Sequence, residues 1–571
     1  MNPNGIVFGP GGELDIGGSF VASTGSGIEF DGQGVFGANP ATSTNPNLLT
    51  VAPSALLFNQ IGVVQPPNSI EVLGSLLSVP TGASLVLLGG NSSPTAAETG
   101  AVVVDGGFLD AQSGHVEIGA VGGAGRVALS DDFELVFPSD LARANINLQG
   151  FARIDVGDRF GGVGGGTAQL QGRTVTITDA DLVAANTTGV QGGGGVTIRA
   201  EQLILDNATV LSITDSAAAG GNVLLEVNQG IGQLILRNGS VVSAETEGPG
   251  AGGDVILGAR NIQILSGSGI GTEARDEGDA GTASLSGQTL RLEDGFILGN
   301  TFGQGNGGQI SVNITDQIDL IGFSEISANA DDFFTPGGGI GAAGGVVVTT
   351  GQLNIRDDSQ IGASTFGDAG AGGNISVQAD GVTIAGPGAR IASLVDFGSP
   401  SQGGNIDLDL RVLRLEEGGK IETSTLDPLS LGTTGSAGNI LIRNAQLVEI
   451  TGETNTTGLF AQVGDPVTGP VGITGTGGLI SLNTNQLRVS GARATISSST
   501  EDAGAGGSVA ITARQVQVQN GAQIQSATRG LAPGGQIIVR ADTVDVQGTE
   551  ASAPFASSAL VTTTLGDEPA G

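Results

Sequence analysis

Apolar and polar residues alternate along most of this chain with the period of two that a strand burying one face requires. The unit is plainest from Gly372 to Leu394, GGNISVQADGVTIAGPGARIASL. Here Ile375 to Ala379, Val382 to Ile384 and Ala389 to Ala392 each alternate, and Gly, Asp or Pro stands at each corner. The same pattern recurs from Gly193 to Thr214, from Gly506 to Thr528 and from Gly534 to Gly548. A pattern repeated down a chain predicts an array of stacked units.

A glycine just before the first strand marks each unit: Gly166, Gly195, Gly221, Gly253, Gly281, Gly308, Gly345, Gly373, Gly404, Gly438, Gly478, Gly507 and Gly535. The step is about 28 residues, and spacing of two within each step excludes ankyrin or tetratricopeptide arrays, whose apolar residues recur at three and four. Three strands with three tight corners predict an all-β chain, a right-handed parallel β-helix with three strands per coil. The longer steps before Gly345 and Gly478 read as loops pushed out at a corner, carrying Asp331 to Phe334 and Glu453 to Gly478.

Composition sharpens this picture. The 571 residues would ordinarily suggest several globular domains, but a solenoid grows coil by coil as one body. The 102 glycines lack the three-residue period of collagen and are expected at corners, where φ is positive or a side chain would clash. With 39% hydrophobic residues, a narrow core of stacked Val, Ile and Leu is available and disorder is a poor reading. The net charge of −35 disfavours nucleic acid and anionic lipid. It suits solubility of a long β-structure. Calcium between coils is the sharper alternative, but the Gly-Gly-x-Gly-x-Asp nonapeptide is not repeated, so no cofactor and no metal site is expected. There is no cysteine for disulfides or thiolate chemistry, and no apolar run long enough to span a membrane.

The chain opens Met1-Asn2-Pro3-Asn4-Gly5-Ile6, strong turn chemistry, followed by the strand-like LDIGGSFVAST from Leu14. NPNGI with such a strand resembles the secretion domain of filamentous haemagglutinin-like exoproteins of the two-partner secretion pathway of Gram-negative bacteria. The stretch Leu48 to Phe58, LLTVAPSALLF, is similar to the segment that follows in cyanobacterial members. The resemblance implies a capped β-helical secretion domain, engaged by an outer-membrane transporter, and a location outside the cell or on its outer surface. It makes Asn2, Pro3, Asn4, Gly5 and Ile6 the secretion motif, shaping a turn. The family places a signal peptide, a cap and an NPNL motif before NPNGI. The resemblance therefore implies a start upstream of Met1, and Asn45 to Leu48, which also spells NPNL, reads as an unrelated turn. The expected organisation is a secretion-domain remainder over 1–100, irregular transitional coils over 101–165, regular coils over 166–551 and a tail over 552–571.

Candidate chemistry is sparse. His115, the sole histidine, reads as a surface strand position without a nucleophile or carboxylate pattern beside it. The pairs Asp131-Asp132, Asp331-Asp332 and Asp357-Asp358 fall near corners, where Asp is ordinary, although such pairs also ligate calcium or serve glycosidases. Asn222, Asn374, Asn405 and Asn439 follow landmark glycines and suit a ladder of side-chain hydrogen bonds along the stack, with tolerance of the left-handed backbone region. Arg199, Arg356, Arg443, Arg514 and Arg540 read as solvated groups, some paired with acids. Two functional classes follow. The first is a secreted adhesin-like protein that contacts cell-surface glycans or proteins. The second is a polysaccharide-active β-helix, a lyase or glycoside hydrolase. The chain has no Trp, no Tyr and no catalytic set, which favours a non-enzymatic protein.

Overall fold

The computed structural model describes residues 1–30, 33–38, 52–58, 69–90, 101–158, 163–187, 189, 191–228, 230–331, 341–366, 370–396, 401–425, 435–464, 475–500, 504–530, 532–549 and 557–564. They form two units, Met1–Ile262 and Gln263–Gly571. Each is a parallel β-solenoid, and among the described residues there is no helix, so none is long and apolar enough to cross a membrane. Residues 45–48, 63–68 and 332–334, the middle of the loop before Gly478, and much of the expected tail lie outside the described residues. Within that tail, Ala559–Val561 pairs in parallel with Gln523–Gln525.

In the unit Met1–Ile262 three separate strands make a coil. Gly195–Ala200 lies between Thr167–Gln171 and Val223–Val227, and Gln202–Asp206 lies between Thr174–Thr178 and Gln233–Arg237. Thr209–Thr214 closes the coil beside Val241–Thr246. Register keeps like over like: Ile198 faces Leu170 on one side and Leu225 on the other, and all three are fully buried. A slip by one residue would turn each apolar column out to water.

The unit Gln263–Gly571 departs from the expectation of three short strands. From Ala283–Glu293 to Leu479–Ser490 its first and second segments run on as one strand, as in Ile375–Ala385, which pairs with Val346–Arg356 and Ile406–Glu416, whereas after Gly507 they part again as Ser508–Thr512 and Gln515–Gln519. The predicted corner at Asp380 and Gly381 is a bend, not a break. Similar bends carry register shifts at Ile314/Gln317, Asp409/Val412 and Ile442/Ala445, where an extra residue turns the strand without ending the ladder. The third strand, Arg390–Ala392, remains separate, between Gln360–Gly362 and Lys420–Glu422.

The glycines hold their corners for a different reason from the one the sequence suggests. Of the landmark glycines only Gly195 has positive φ. Several of the others stand where coils touch: a Cβ on Gly404 would run into the carbonyl of Gly373, and one on Gly438 into the carbonyl of Gly404. Positive φ gathers instead at the corner after the second segment. Asp179, Asn207 and Asn238 hold it in one unit, and Asp294, Asp357, Glu417 and Asn520 in the other. Buried hydroxyls satisfy the carbonyls of the glycine column. Ser393 Oγ donates to Gly373 O at 2.9 Å, Thr423 Oγ1 to Gly438 O at 2.8 Å and Ser526 Oγ to Gly507 O at 2.7 Å. Each of these hydroxyls is fully buried, and each adds a donor to a carbonyl held away from water.

Candidate functional site

The NPNGI segment is a turn that spends its polar groups on itself. Asn4 N donates to Asn2 Oδ1 at 3.1 Å and Gly5 N to Asn2 O at 3.2 Å, with Pro3 at the second turn position, where its fixed φ fits. Gly5 takes φ 108°, a conformation other residues rarely adopt. Asn2 N is tied to Ser23 O at 2.9 Å and Ile6 N to Ser69 O at 2.9 Å, so the turn is bolted to two other strands. From it Ile6–Phe8 enters the first parallel ladder against Ile70–Leu73. Phe8 meets Phe20 edge to face at 6.3 Å.

Beside the coils of this unit stands a second sheet, antiparallel, in the order Leu135–Val136, Gly125–Leu129, Ala55–Phe58, Gly27–Phe30, Gly34–Gly37. It covers the outward side of Ser84–Gly90 and His115–Val121. Leu85 and Leu87 point inward, yet their neighbours Val86 and Leu88 are also fully buried, packed with Val121, Leu56, Phe58, Val127 and Leu135. A strand covered on both faces loses its alternation, which is why SLVLLGG reads as a continuous apolar run. Gly119 lets the cover sit down: a Cβ there would lie 2.7 Å from Leu135 Cδ1 and 2.7 Å from Leu88 Cδ1. The stretch 101–165, expected to be irregular, thus holds parallel rungs such as Val102–Asp105 beside Ile146–Gln149, interrupted by part of this cover.

Beneath the cover lies a polar cluster that sequence reasoning misplaced. His115, expected at the surface, is 9% exposed, and Glu117 is fully buried. Both point outward from the coil, where the cover and neighbouring coils bury them. His115 Nε2 lies 3.0 Å from Glu117 Oε2, and Nδ1 lies 2.5 Å from Thr167 Oγ1. Gln169 and Gln171 each donate to Glu117 Oε1 at 3.1 Å, and Gln171 also reaches Leu135 O in the cover at 2.6 Å. Burial pushes the Glu117 carboxyl above the usual carboxylate range, a rise opposed by the bonds from His115 and the two glutamines. Arg199 extends the chain of contacts outward, donating to Gln169 at 2.8 Å and to Glu226 at 2.6 Å. Arg143, with its guanidinium 5.3 Å from the Phe137 ring centre, is held below its usual pKa by burial. Glu117 is sealed from solvent, and the cluster joins cover to coil. The available signal was the loss of alternation in Ser84–Gly90, the continuous apolar run on which His115–Val121 stacks.

The other residues singled out from sequence are scattered along the corners. Asn405 Nδ2 donates to Asn374 Oδ1 at 3.2 Å and Asn439 Nδ2 to Asn405 Oδ1 at 2.9 Å, and the backbone N–H of each donates to the same acceptor. Asn439 Oδ1 in turn accepts from Leu479 N, and Asn222 Oδ1 from Asp254 N. None of these four has positive φ. Arg199 pairs with Glu226, and Arg443 grips Asp407 with two bonds of 3.0 and 2.7 Å, whereas Arg356, Arg514 and Arg540 stand exposed. Asp131 and Asp132 occupy an exposed turn, and Asp357 a positive-φ corner. Among the described residues no group of three or more His, Asp or Glu side chains converges as metal ligands would.

Comparison with known proteins gives one match. Residues 1–152 match the family model of the TPS secretion domain. This range contains the NPNGI turn, the antiparallel cover and Glu117, and runs beyond the residue 100 expected for the secretion domain. No curated protein and no solved structure matches the chain. Proteins carrying this domain are secreted exoproteins. With a TPS secretion domain at residues 1–152 and parallel β-solenoid coils behind it, the chain fits a filamentous haemagglutinin-like exoprotein of the two-partner secretion pathway.

Proposed function

We propose that an outer-membrane two-partner secretion transporter recognises the region 1–152 and exports the chain, and that the solenoid then serves outside the cell as an adhesin-like protein touching glycans or proteins of other surfaces. The observation that carries this reading is the family match over residues 1–152, with the NPNGI turn setting the first strand of the first ladder. The solenoid suits such a route. Each coil pairs with its neighbours, so a chain emerging from a pore can add coils in order without waiting for distant segments. No catalytic role enters this reading: Glu117, whose carboxyl burial pushes above the usual range, is sealed under the cover.

The test is export. The chain fused behind a cleavable signal peptide is expressed in a Gram-negative host with and without the cognate transporter. Transporter-dependent appearance in the medium or on the cell surface is expected. Periplasmic retention in both strains would refute it.

A further inference from the structure

Where the long strands of the unit Gln263–Gly571 bend, their outward side encloses a trough of about 440 Å³. Its wall is a single register column, Asn313 over Thr349 over Gln378 over Asp409, contributed by four consecutive coils. Neighbouring rungs stand about 4.8 Å apart, so the column offers one polar side chain per coil along the stacking direction. A line of equally spaced groups fits an extended polymer better than a compact small molecule.

The hydrogen-bonding capacity of the first three residues of this column is unspent. Among the described residues the side chains of Asn313, Thr349 and Gln378 make no hydrogen bond, whereas adjoining outward positions are paired. Arg443 holds Asp407, Asn354 donates to Asp319 at 2.8 Å, and Arg414 reaches Glu449 at 3.3 Å. Of the charged groups in the trough, Arg411 lies 3.3 Å from Asp380, and Asp409 keeps its negative charge while accepting from Asn444 at 2.8 Å. What remains for a ligand is neutral amide and hydroxyl, which matches hydroxyl groups. Three features exclude other classes. The net charge of −35 repels polyanions. The long strands Val346–Arg356 and Ile375–Ala385 in the trough are paired on both sides, leaving no backbone edge for a peptide to extend. The lining holds no aromatic ring, so binding comes from several rungs together and not from stacking on one sugar.

We propose that this trough binds a linear, uncharged polysaccharide lying along the coil stack, hydrogen-bonded by Asn313, Thr349 and Gln378. The assignment rests on the surface-contact reading above and names its ligand class.

The experiment is co-sedimentation of the full chain with insoluble cellulose, curdlan and mannan, and with cross-linked polygalacturonate as the acidic probe. Asn313 and Gln378 are exposed, so the double variant N313A/Q378A keeps the fold, checked by an unchanged melting curve. Retention on at least one neutral polymer is expected, falling about tenfold or more in the double variant for the loss of two or more hydrogen bonds, and unaffected by N374A outside the trough. Retention on none of the neutral polymers, equal retention of the double variant, or stronger retention on polygalacturonate would each overturn the assignment. Attachment of both proteins to whole cells is scored in parallel. Equal attachment by both leaves the surface-contact reading standing through another face, and sedimentation decides the trough. Attachment by neither removes that reading, while sedimentation still decides the trough.

Discussion

Nε2 of His115 lies 3.0 Å from a carboxylate oxygen of Glu117, a residue with no exposed surface, under the antiparallel cover of the secretion domain. The pair joins two layers, since Gln171 bonds both Glu117 and the carbonyl of Leu135.

The buried carboxyl makes the stability of this region depend on pH. Burial raises the folded-state pKa of Glu117 above its unfolded value, so between the two the folded chain binds the extra proton. Stability from this group is therefore full below the ordinary carboxylate range and falls as pH rises through the raised value. The variant E117Q keeps an acceptor for the two glutamines and buries no charge. Its melting temperature is expected to match or exceed the wild type near neutral pH and to lose this part of the pH slope. E117L, which leaves the donors unsatisfied, is expected to cost about 1–3 kcal/mol. Circular-dichroism melts across pH read both, and a slope unchanged in E117Q would contradict the assignment.

The glycine column gives a prediction of a different kind, because its clash is with backbone. A Cβ on Gly404 would meet the Gly373 carbonyl and come within 2.7 Å of Ser393 Oγ, neither of which has room to move. G404A is expected to destabilise by about 1–3 kcal/mol, in line with overpacked sites. Gly9, where an added Cβ would meet nothing within 4 Å, provides the control: G9A should melt with the wild type. Equal melting of the two variants would mean that the coils do not touch as described.

These examples mark what the sequence could and could not convey. Alternation around Ile375, Val377, Val382 and Ile384 fixed the strands and the parallel stack, because each inward side chain sits over its counterpart in the next coil. The role of Gly404 was hidden, since a glycine kept for close approach and one kept for positive φ look alike in sequence. The position of His115 was misjudged for a related reason. Period-two alternation says which side of a strand a residue occupies, but not whether a second sheet covers that side. The cover is built in part from Gly27–Phe30 and Gly125–Leu129, far apart in the chain, and no local pattern announces that they meet through Ala55–Phe58.

The NPNGI turn separates shaping from touching. Gly5 at φ 108° admits a larger residue only with strain of about 1–3 kcal/mol, and Asn2 supplies both acceptors of the turn. G5A and N2A are therefore expected to lower both the melting temperature and the transporter-dependent yield. V7S alters a side chain that is 63% exposed and should leave stability unchanged. If G5A and N2A reduced export without changing the melting curve, the segment would act as a contact surface and the structural account of the motif would fail.

A second carboxylate responds to pH in the opposite sense. Glu417 sits at a positive-φ corner and caps the loop of the next coil: it accepts from Thr454 Oγ1 at 2.6 Å, from Glu453 N at 3.0 Å and from Thr454 N at 3.3 Å. These bonds, the Thr454 hydroxyl first, lower its pKa below the usual range because they favour the charged acceptor. The contribution is thus complete above the unfolded carboxylate value and is lost as pH falls through the lowered one. Being near the surface, the effect is local, and hydrogen exchange of the peptide around Glu453 and Thr454 is the suitable readout. Protection, corrected for intrinsic exchange, is expected to drop between about pH 6 and about pH 3.5 in the wild type. In E417Q it should be weaker at the higher pH and nearly flat between them, since a neutral amide oxygen accepts less strongly and does not titrate. T454V removes the shortest bond and should shift the wild-type drop toward higher pH. A drop of the same size and midpoint in all three proteins would show that Glu417 does not hold this loop.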